Sequence, residues 1–245
     1  MPLSDEDRWY CKQNGYYRLP NLLPDNLVDH LNEATDCEIF SMREPIVWED
    51  TASRTPAAVR RLSKILDRGS TYLEAATHPL ILDALENFLG PNIELITNKH
   101  NHLMVRPPNS GVVPWHAGEH IYEPVLFTAL IYLQESTIEN GCIRIVPGSH
   151  QRPFHSPKLY PDGEFTRQAL YHRALPVPMP AGGVLLFDDR LYHGADTNNT
   201  DQSRRSMTLA YRAHDAHDVL KEDPEKTLVR GERIYTGHPH PFPGS

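Results

Sequence analysis

The sequence predicts a single mainly β domain, a sandwich or a barrel, with α-helices outside it. From residue 93 onward, short apolar, β-branched or aromatic runs alternate with turn residues, which is typical of closely spaced strands. The 22 prolines among 245 residues are about twice the usual share, and they disfavour a helical bundle because proline interrupts helices. Neither a repeat nor a sharp change of composition divides the chain, so we expect one domain over residues 1–245.

Two helical stretches precede the strands. The first, residues 24–37, carries an apolar stripe with helical spacing behind a Pro-Asp start. The second, residues 70–89, is rich in Leu and Ala and ends at Gly90. Because proline breaks a helix interior, Pro79 should split this second stretch into two short helices.

Six later runs have strand character, and the charged, proline-rich tail after Arg212 is expected to form a loop. The six runs are residues 93–97, 102–105, 125–133, 142–146, 183–187 and 207–211.

Charge and composition exclude several classes of function. The chain has 24 Lys and Arg against 32 Asp and Glu, a net charge of −8, which opposes binding to nucleic acid or to an acidic carrier protein. No apolar stretch is long enough for a membrane helix, and the first residues lack the features of a signal peptide. The three scattered cysteines predict neither a disulfide framework nor a zinc site. We therefore expect a soluble cytoplasmic protein with a small-molecule partner.

Two of the 14 histidines stand at the edges of strong strands. His116 precedes the run 125–133, and His193 follows the run 183–187. Residues at such edges can meet across a rolled sheet, where small barrels bind their ligands. Position alone does not distinguish these two histidines from surface residues, so the surrounding motifs must decide.

Those motifs resemble the phytanoyl-CoA dioxygenase family of Fe(II)/2-oxoglutarate-dependent oxygenases. The resemblance lies in the strings ENGCIRIVPGSH at residues 139–150 and HGADTNNTDQSRRSMTLAY at residues 193–211. Residues 14–31 also resemble the opening strand and helix of that family. The resemblance implies a double-stranded β-helix, a cupin-like jelly roll, in agreement with the strand pattern. It also implies Fe(II), 2-oxoglutarate and O2 as cofactors.

The resemblance implies an iron site made by a His-x-Asp pair and a distal histidine, which leaves three positions for cosubstrates. Here His116 and His193 occupy the histidine positions, and Gly118 stands where the carboxylate is expected. The same replacement distinguishes the halogenases of this enzyme class from its hydroxylases, because chloride can supply the missing negative charge. The halogenase hypothesis thus adds chloride as a cofactor and assigns Ala117 and Gly118 to a halide pocket. It implies hydrogen abstraction from an aliphatic carbon by an iron-oxo species, followed by chlorine transfer.

Three alternatives to a halogenase stay open. One is a hydroxylase in which Glu119 supplies the carboxylate, although the third residue after His116 in a strand points to the opposite face. Another is a hydroxylase with water in the third position. The last is a non-catalytic binding protein of the same fold.

Arg204 follows His193 by the spacing at which the family places the arginine that binds the far carboxylate of 2-oxoglutarate. A guanidinium group suits that task because it can bind a carboxylate with two parallel hydrogen bonds. Ser206 and Thr208 share the strand face of Arg204, and polar side chains inside a barrel are costly unless a ligand meets them. We therefore assign Arg204 and Ser206 to cosubstrate binding.

Residues 152–173 are too long for a simple connection and form a candidate substrate lid. The segment carries four basic and two acidic residues with interleaved aromatic residues, which suits an anionic, ring-bearing ligand such as a nucleotide. The resemblance would then be to the adenine-nucleotide chlorinases of nucleoside-antibiotic pathways. A solvated loop is an equally open interpretation, and a free amino acid or an alkaloid is the alternative substrate. The candidate substrate residues are Arg152, Phe154, Lys158, Tyr160, Arg167 and Arg173.

Overall fold

The structure is a computed structural model that describes residues 3–49, 52, 54–118, 126–151, 172–214 and 226–232. Its α-helices are α1 (Asp5–Asn14), α2 (Asp25–Ser41), α3 (Ser70–Ala76) and α4 (Pro79–Leu89). Its strands are β1 (Tyr16–Leu19), β2 (Ile46–Trp48), β3 (Val59–Ser63), β4 (Ile93–Ile96), β5 (His102–Arg106), β6 (Val113–His116), β7 (Phe127–Tyr132), β8 (Ile143–Ile145), β9 (Leu175–Pro176), β10 (Val184–Asp188), β11 (His193–Ala195), β12 (Arg204–Ala213) and β13 (Lys226–Arg230).

The helices begin and end at the residues that local chemistry favours. In α1, the side chain of Ser4 accepts a hydrogen bond from the backbone N–H of Asp7, and Gly15 ends the helix at φ 83°. Pro79 is the first residue of α4, so the predicted split of the second helical stretch is confirmed. Helix α2 runs four residues beyond the predicted end, because no helix-breaking residue stands before Ser41.

The strands form two antiparallel sheets. The larger sheet has the order β1-β10-β7-β12-β5-β3-β2, with β4 also paired to β12 and to β13. The smaller sheet has the order β6-β11-β8-β9. The six predicted runs correspond to β4, β5, β7, β8, β10 and β12, whereas the expectation of a loop-like tail is wrong over β13, which pairs with β4. This arrangement is the predicted jelly roll of two facing sheets with helices outside.

Two apolar clusters give the fold three layers. One cluster joins the helices to the outer face of the larger sheet and includes Leu31, Leu85 and Leu209. The other lies between the two sheets and includes Ile145 and Phe187. Alternation along β12 divides its side chains between a helix-facing side and a side that faces the smaller sheet.

The described part of the chain contains no helix long and apolar enough to cross a membrane. Cys11, Cys37 and Cys142 are all free thiols.

Candidate active site

A cavity of about 420 Å³ opens between the two sheets. Four of the residues singled out in the sequence line it, namely His116, His193, Arg204 and Ser206. Thr208 lines it as well, so the predicted sharing of one strand face by Arg204, Ser206 and Thr208 is confirmed. The jelly roll therefore gathers the candidate iron and cosubstrate residues into one space.

His116 and His193 meet because β6 and β11 pair with these two residues in register. Their ring centroids are 4.2 Å apart. The Nδ1 atom of His116 lies 2.8 Å from the carbonyl oxygen of Pro114, and that of His193 lies 2.7 Å from the carbonyl oxygen of Leu191. A carbonyl accepts only from an N–H, so both Nδ1 atoms carry a proton, and in the neutral ring the lone pair then lies on Nε2. Two imidazoles oriented in this way fit a transition metal.

Burial keeps His193 in the form that a metal needs. Desolvation, reinforced by the neighbouring His116, lowers the pKa of His193 to about 3. The imidazole is therefore neutral near neutral pH, and a metal-binding histidine must be unprotonated.

The position beside Gly118 is occupied by the side chain of Asp189. A Cβ atom built on Gly118 would lie 2.0 Å from Oδ2 of Asp189 and 2.6 Å from its Cγ. The backbone N–H of Gly118 donates to the carbonyl oxygen of Asp189 at 2.7 Å, which holds the two segments together. The Asp189 side chain is 5% exposed, and its Oδ1 lies 3.0 Å from Nε2 of His100. This differs from the open volume beside Gly118 and Ala117 that the halide-pocket hypothesis pictured, because the turn after β10 brings a carboxylate there.

Arg204 is a buried cation facing the cavity. It is 4% exposed, and its Nη2 donates to the carbonyl oxygen of Gly141 at 3.0 Å. Its Nε has no hydrogen-bond partner among the described residues, and burial lowers the pKa of the guanidinium group. Tyr132 is also buried beside this strand, with a hydroxyl that likewise lacks a partner there. Buried donors of this kind normally have partners, so the arrangement fits a carboxylate ligand.

The described side chains fit iron and 2-oxoglutarate in part. The two Nε2 atoms can hold a metal, and Arg204 can hold a carboxylate. No three His, Cys, Asp or Glu side chains are grouped as metal ligands within the described residues. The described residues therefore supply two metal-binding imidazoles and one carboxylate-binding guanidinium group.

The same cavity contains three arginines and two histidines that the sequence pattern did not single out. Arg60, Arg61, Arg106, His100 and His102 all line it. Burial is the largest cause that lowers the pKa of His102 to about 3, and the nearby His100 and Arg61 lower it further. This ring is therefore neutral near neutral pH. Strand alternation does not relate His100 to His102, because His100 lies before β5 with a φ of 48°.

Several predicted residues fall outside the described part of the chain. These are Glu119 and the candidate lid residues Arg152, Phe154, Lys158, Tyr160 and Arg167. Arg173 is described and lies in an exposed turn.

Comparison with known proteins places the fold and site in context. The sequence profile of phytanoyl-CoA dioxygenase (PhyH) matches residues 11–206. Human peroxisomal phytanoyl-CoA dioxygenase is 24% identical over 261 residues, covering 96% of this chain and 76% of the human protein. Dioxygenase lolE1 of Epichloe uncinata is 31% identical over 246 residues and covers 93% of both chains.

Among solved structures, the epimerase SnoN in complex with Fe3+, alpha ketoglutarate and nogalamycin RO superimposes with a TM-score of 0.70. It is 22% identical, and the match covers 94% of this chain and 96% of SnoN. This likeness shows the fold and confirms the predicted jelly roll.

Proposed function

This chain belongs to the phytanoyl-CoA dioxygenase (PhyH) family, and we propose that it uses iron, 2-oxoglutarate and O2 to oxidise an aliphatic C–H bond of a small molecule. One observation carries the proposal. Two histidines with fixed rings present their Nε2 atoms to a cavity that also contains a buried arginine. That combination supplies a metal-binding group and a carboxylate-binding group side by side.

Each side chain has a defined task in this proposal. His116 and His193 hold iron, and the Pro114 and Leu191 carbonyls keep their rings aligned. Arg204 binds the far carboxylate of 2-oxoglutarate, with Ser206 beside it on the same strand face. When bound, the metal would reduce O2 while 2-oxoglutarate is converted to succinate and CO2. One oxygen atom of O2 would enter succinate, and the other would enter the product as a hydroxyl group.

Halogenation is the second candidate, and Gly118 favours it because the carboxylate of the family motif is missing there. The halogenase needs chloride to supply both charge and volume beside Gly118. The Asp189 carboxylate already fills that volume and carries the same charge as chloride, so the two anions would repel one another. We therefore propose hydroxylation, and not chlorination, as the main candidate reaction.

The basic residues of the cavity favour an anionic substrate. Arg60, Arg61 and Arg106 line the cavity in addition to Arg204, and Arg106 lies opposite Arg204 where β5 pairs with β12. A phosphate or carboxylate group suits such a cluster, because guanidinium groups bind planar and tetrahedral anions well. A nucleotide remains one such substrate, and a free amino acid is another.

Anaerobic titration of the protein with Fe(II) and 2-oxoglutarate tests the proposal. The chelate of Fe(II) by 2-oxoglutarate gives a weak visible charge-transfer band, which the protein should develop and saturate. His116→Ala and His193→Ala should abolish both the band and the retention of iron. Iron retention by these variants equal to that of the parent would remove the proposed site.

A further inference from the structure

Arg106 and Arg204 are neighbouring buried cations in the cavity. The two residues lie directly opposite one another where β5 pairs with β12. Both line the cavity, and they are 2% and 4% exposed. Directly opposite residues of an antiparallel pair place their side chains on one face of the sheet, and like charges in such a pair repel one another. The fold therefore keeps two guanidinium groups side by side in one buried space.

Neither of these two cations has an acidic partner. Arg106 and Arg204 form no ion pair with a carboxylate of the described residues, since their printed partners are backbone carbonyl groups. Burial is the largest cause that lowers the pKa of Arg106 to about 10, and the nearby Arg204 and Arg60 lower it further. Glu49 opposes this change, but it is already paired with Arg60 at 3.6 Å. Because buried cations are costly without a counter-ion, the pair favours an anionic ligand.

Backbone carbonyl groups hold both guanidinium groups in place. Nη2 of Arg106 donates to the carbonyl oxygens of Gly111 and Asp196, each at 2.7 Å. Nη2 of Arg204 donates to the carbonyl oxygen of Gly141 at 3.0 Å. The segments of Gly141 and Asp196 are in close contact, because a Cβ atom on Gly141 would lie 2.3 Å from the carbonyl oxygen of Asp196. Both arginines are therefore anchored to adjacent backbone, each through one nitrogen atom.

The remaining donors of the two groups suit a carboxylate. Nε of Arg106 and Nε of Arg204 are both buried, and neither has a hydrogen-bond partner among the described residues. Buried donors normally have partners. Ser206 lies two residues beyond Arg204 in β12 and also lines the cavity. Two fixed guanidinium groups with a hydroxyl group nearby can meet both oxygen atoms of one carboxylate.

We propose that Arg106 and Arg204 together bind the far carboxylate of 2-oxoglutarate, so that Arg106 makes the site selective for a dicarboxylate cosubstrate. The inference rests on the proposed function, because it adds a residue to the same cosubstrate site. Arg60 and Arg61 then remain to bind an anionic group of the substrate. A 2-oxo acid without the far carboxylate would leave two like charges unpaired, so the site should bind it poorly.

The test compares two 2-oxo acids that differ only at the far end. 2-Oxopentanoate has the chain and the chelating group of 2-oxoglutarate, but a methyl group replaces the far carboxylate. Anaerobic titration of the Fe(II)-loaded protein with each acid gives both Kd values from the charge-transfer band. The parent should bind 2-oxoglutarate far more tightly than 2-oxopentanoate.

Arg106→Gln should raise the Kd for 2-oxoglutarate roughly tenfold or more, because it removes a charged donor group. Its Kd for 2-oxopentanoate should stay within about twofold of the parent, since that acid has no group for Arg106 to bind. Arg106→Lys keeps the charge but lacks the planar fork, so its loss should be smaller, roughly threefold or more, and again confined to 2-oxoglutarate. This lysine variant also carries the test if Arg106→Gln does not fold.

The matched control is Arg144→Gln. The Arg144 guanidinium group also lies beside Asp196, but it pairs with the side chain at 3.4 Å and does not line the cavity. This variant should bind both acids like the parent.

The outcomes separate this inference from the proposed function. If the Arg106 variants keep the parent's Kd for 2-oxoglutarate, Arg106 does not bind the cosubstrate and the inference is overturned. If they weaken both acids equally, Arg106 acts through the Gly111 and Asp196 carbonyls as a structural residue, which also overturns it. In both cases the proposed function stands, provided that Arg204→Lys weakens 2-oxoglutarate. A parent that develops no charge-transfer band would overturn both.

Discussion

At the scale of single residues, Gly118 and Asp189 depend on each other, because a side chain at position 118 would overlap the Asp189 carboxylate. The hydrogen bond from the Gly118 N–H to the Asp189 carbonyl leaves no room for a side chain between the two segments. The role of each residue therefore depends on the other. A substitution at 118 must be interpreted together with the state of Asp189.

Gly118→Ala should destabilise the folded protein by about 1–3 kcal/mol, because its methyl group would overlap the Asp189 carboxylate. In the Asp189→Ala background the same substitution should cost much less, since the carboxylate is gone. Chemical denaturation of the parent, the two single variants and the double variant measures this coupling. Additive changes in the free energy of unfolding would contradict the predicted contact.

Arg204→Lys should raise the Kd for 2-oxoglutarate roughly ten- to a hundredfold, because lysine cannot form two parallel hydrogen bonds to a carboxylate. Iron retention should be unchanged, since the proposal assigns Arg204 to 2-oxoglutarate and the two histidines to iron. Arg205→Lys is the matched control, because Arg205 points to the opposite face of β12 and pairs with Asp36. Titration of the charge-transfer band with 2-oxoglutarate measures both, and equal affinities in the two variants would reject the assignment.

Halide dependence distinguishes hydroxylation from chlorination. With its substrate, the parent should form a hydroxylated product at the same rate in buffers with and without chloride, because Asp189 excludes the anion beside Gly118. Mass spectrometry of the product separates a gain of oxygen from a gain of chlorine. A chlorinated product whose formation saturates with chloride would establish the halogenase instead.

At the scale of elements, β12 joins the core to the site. Its residues Met207, Leu209 and Tyr211 belong to the cluster beneath the helices, whereas Arg204 and Ser206 face the cavity. Strand alternation makes this division, so core stability and ligand binding depend on different faces of one strand. Substitutions on the two faces should therefore have separable effects.

Leu209→Ala should lower the free energy of unfolding by about 2–5 kcal/mol, since Leu209 is completely buried and its truncation leaves a cavity. In the protein that remains folded, the affinity for 2-oxoglutarate should stay within about twofold of the parent. Denaturation and the charge-transfer titration provide the two measurements. A loss of affinity as large as that in Arg204→Lys would show that the two faces are not independent.

At the scale of the whole molecule, the cavity buries histidines in their neutral form. Burial lowers the pKa of His102 to about 3, well below the value of an unfolded chain. The unfolded state therefore binds more protons than the folded state at pH values between the two pKa values. The stability of the metal-free protein should fall as the pH falls below about 6.5 towards 3.

His102→Gln should weaken this acid sensitivity. Between pH 7 and pH 5 the parent should lose on the order of 1 kcal/mol more stability than the variant, a figure reduced for the partial contact of His102 with the open cavity. Chemical denaturation of the metal-free proteins at the two pH values measures the difference. An identical pH dependence in both proteins would show that His102 is not buried in its neutral form.

The jelly roll, six of its strands and the approach of His116 to His193 could be predicted from the sequence. Apolar periodicity and turn residues mark strands locally, and the family motifs relate distant segments to one another. The alternation in β12 is equally local, so the common face of Arg204, Ser206 and Thr208 could be predicted. The strands β2, β3, β6, β9, β11 and β13 could not, because their pairing depends on neighbours in space more than on their own residues.

The place of Asp189 was decided by the tertiary structure alone. The sequence shows that Gly118 lacks a carboxylate, but nothing near Gly118 in the chain shows what fills the gap. The turn after β10 comes from a distant segment, and its contact with Gly118 exists only once the two sheets have closed. Local patterns report on residues a few positions apart, whereas excluded volume acts between whatever atoms the fold brings together.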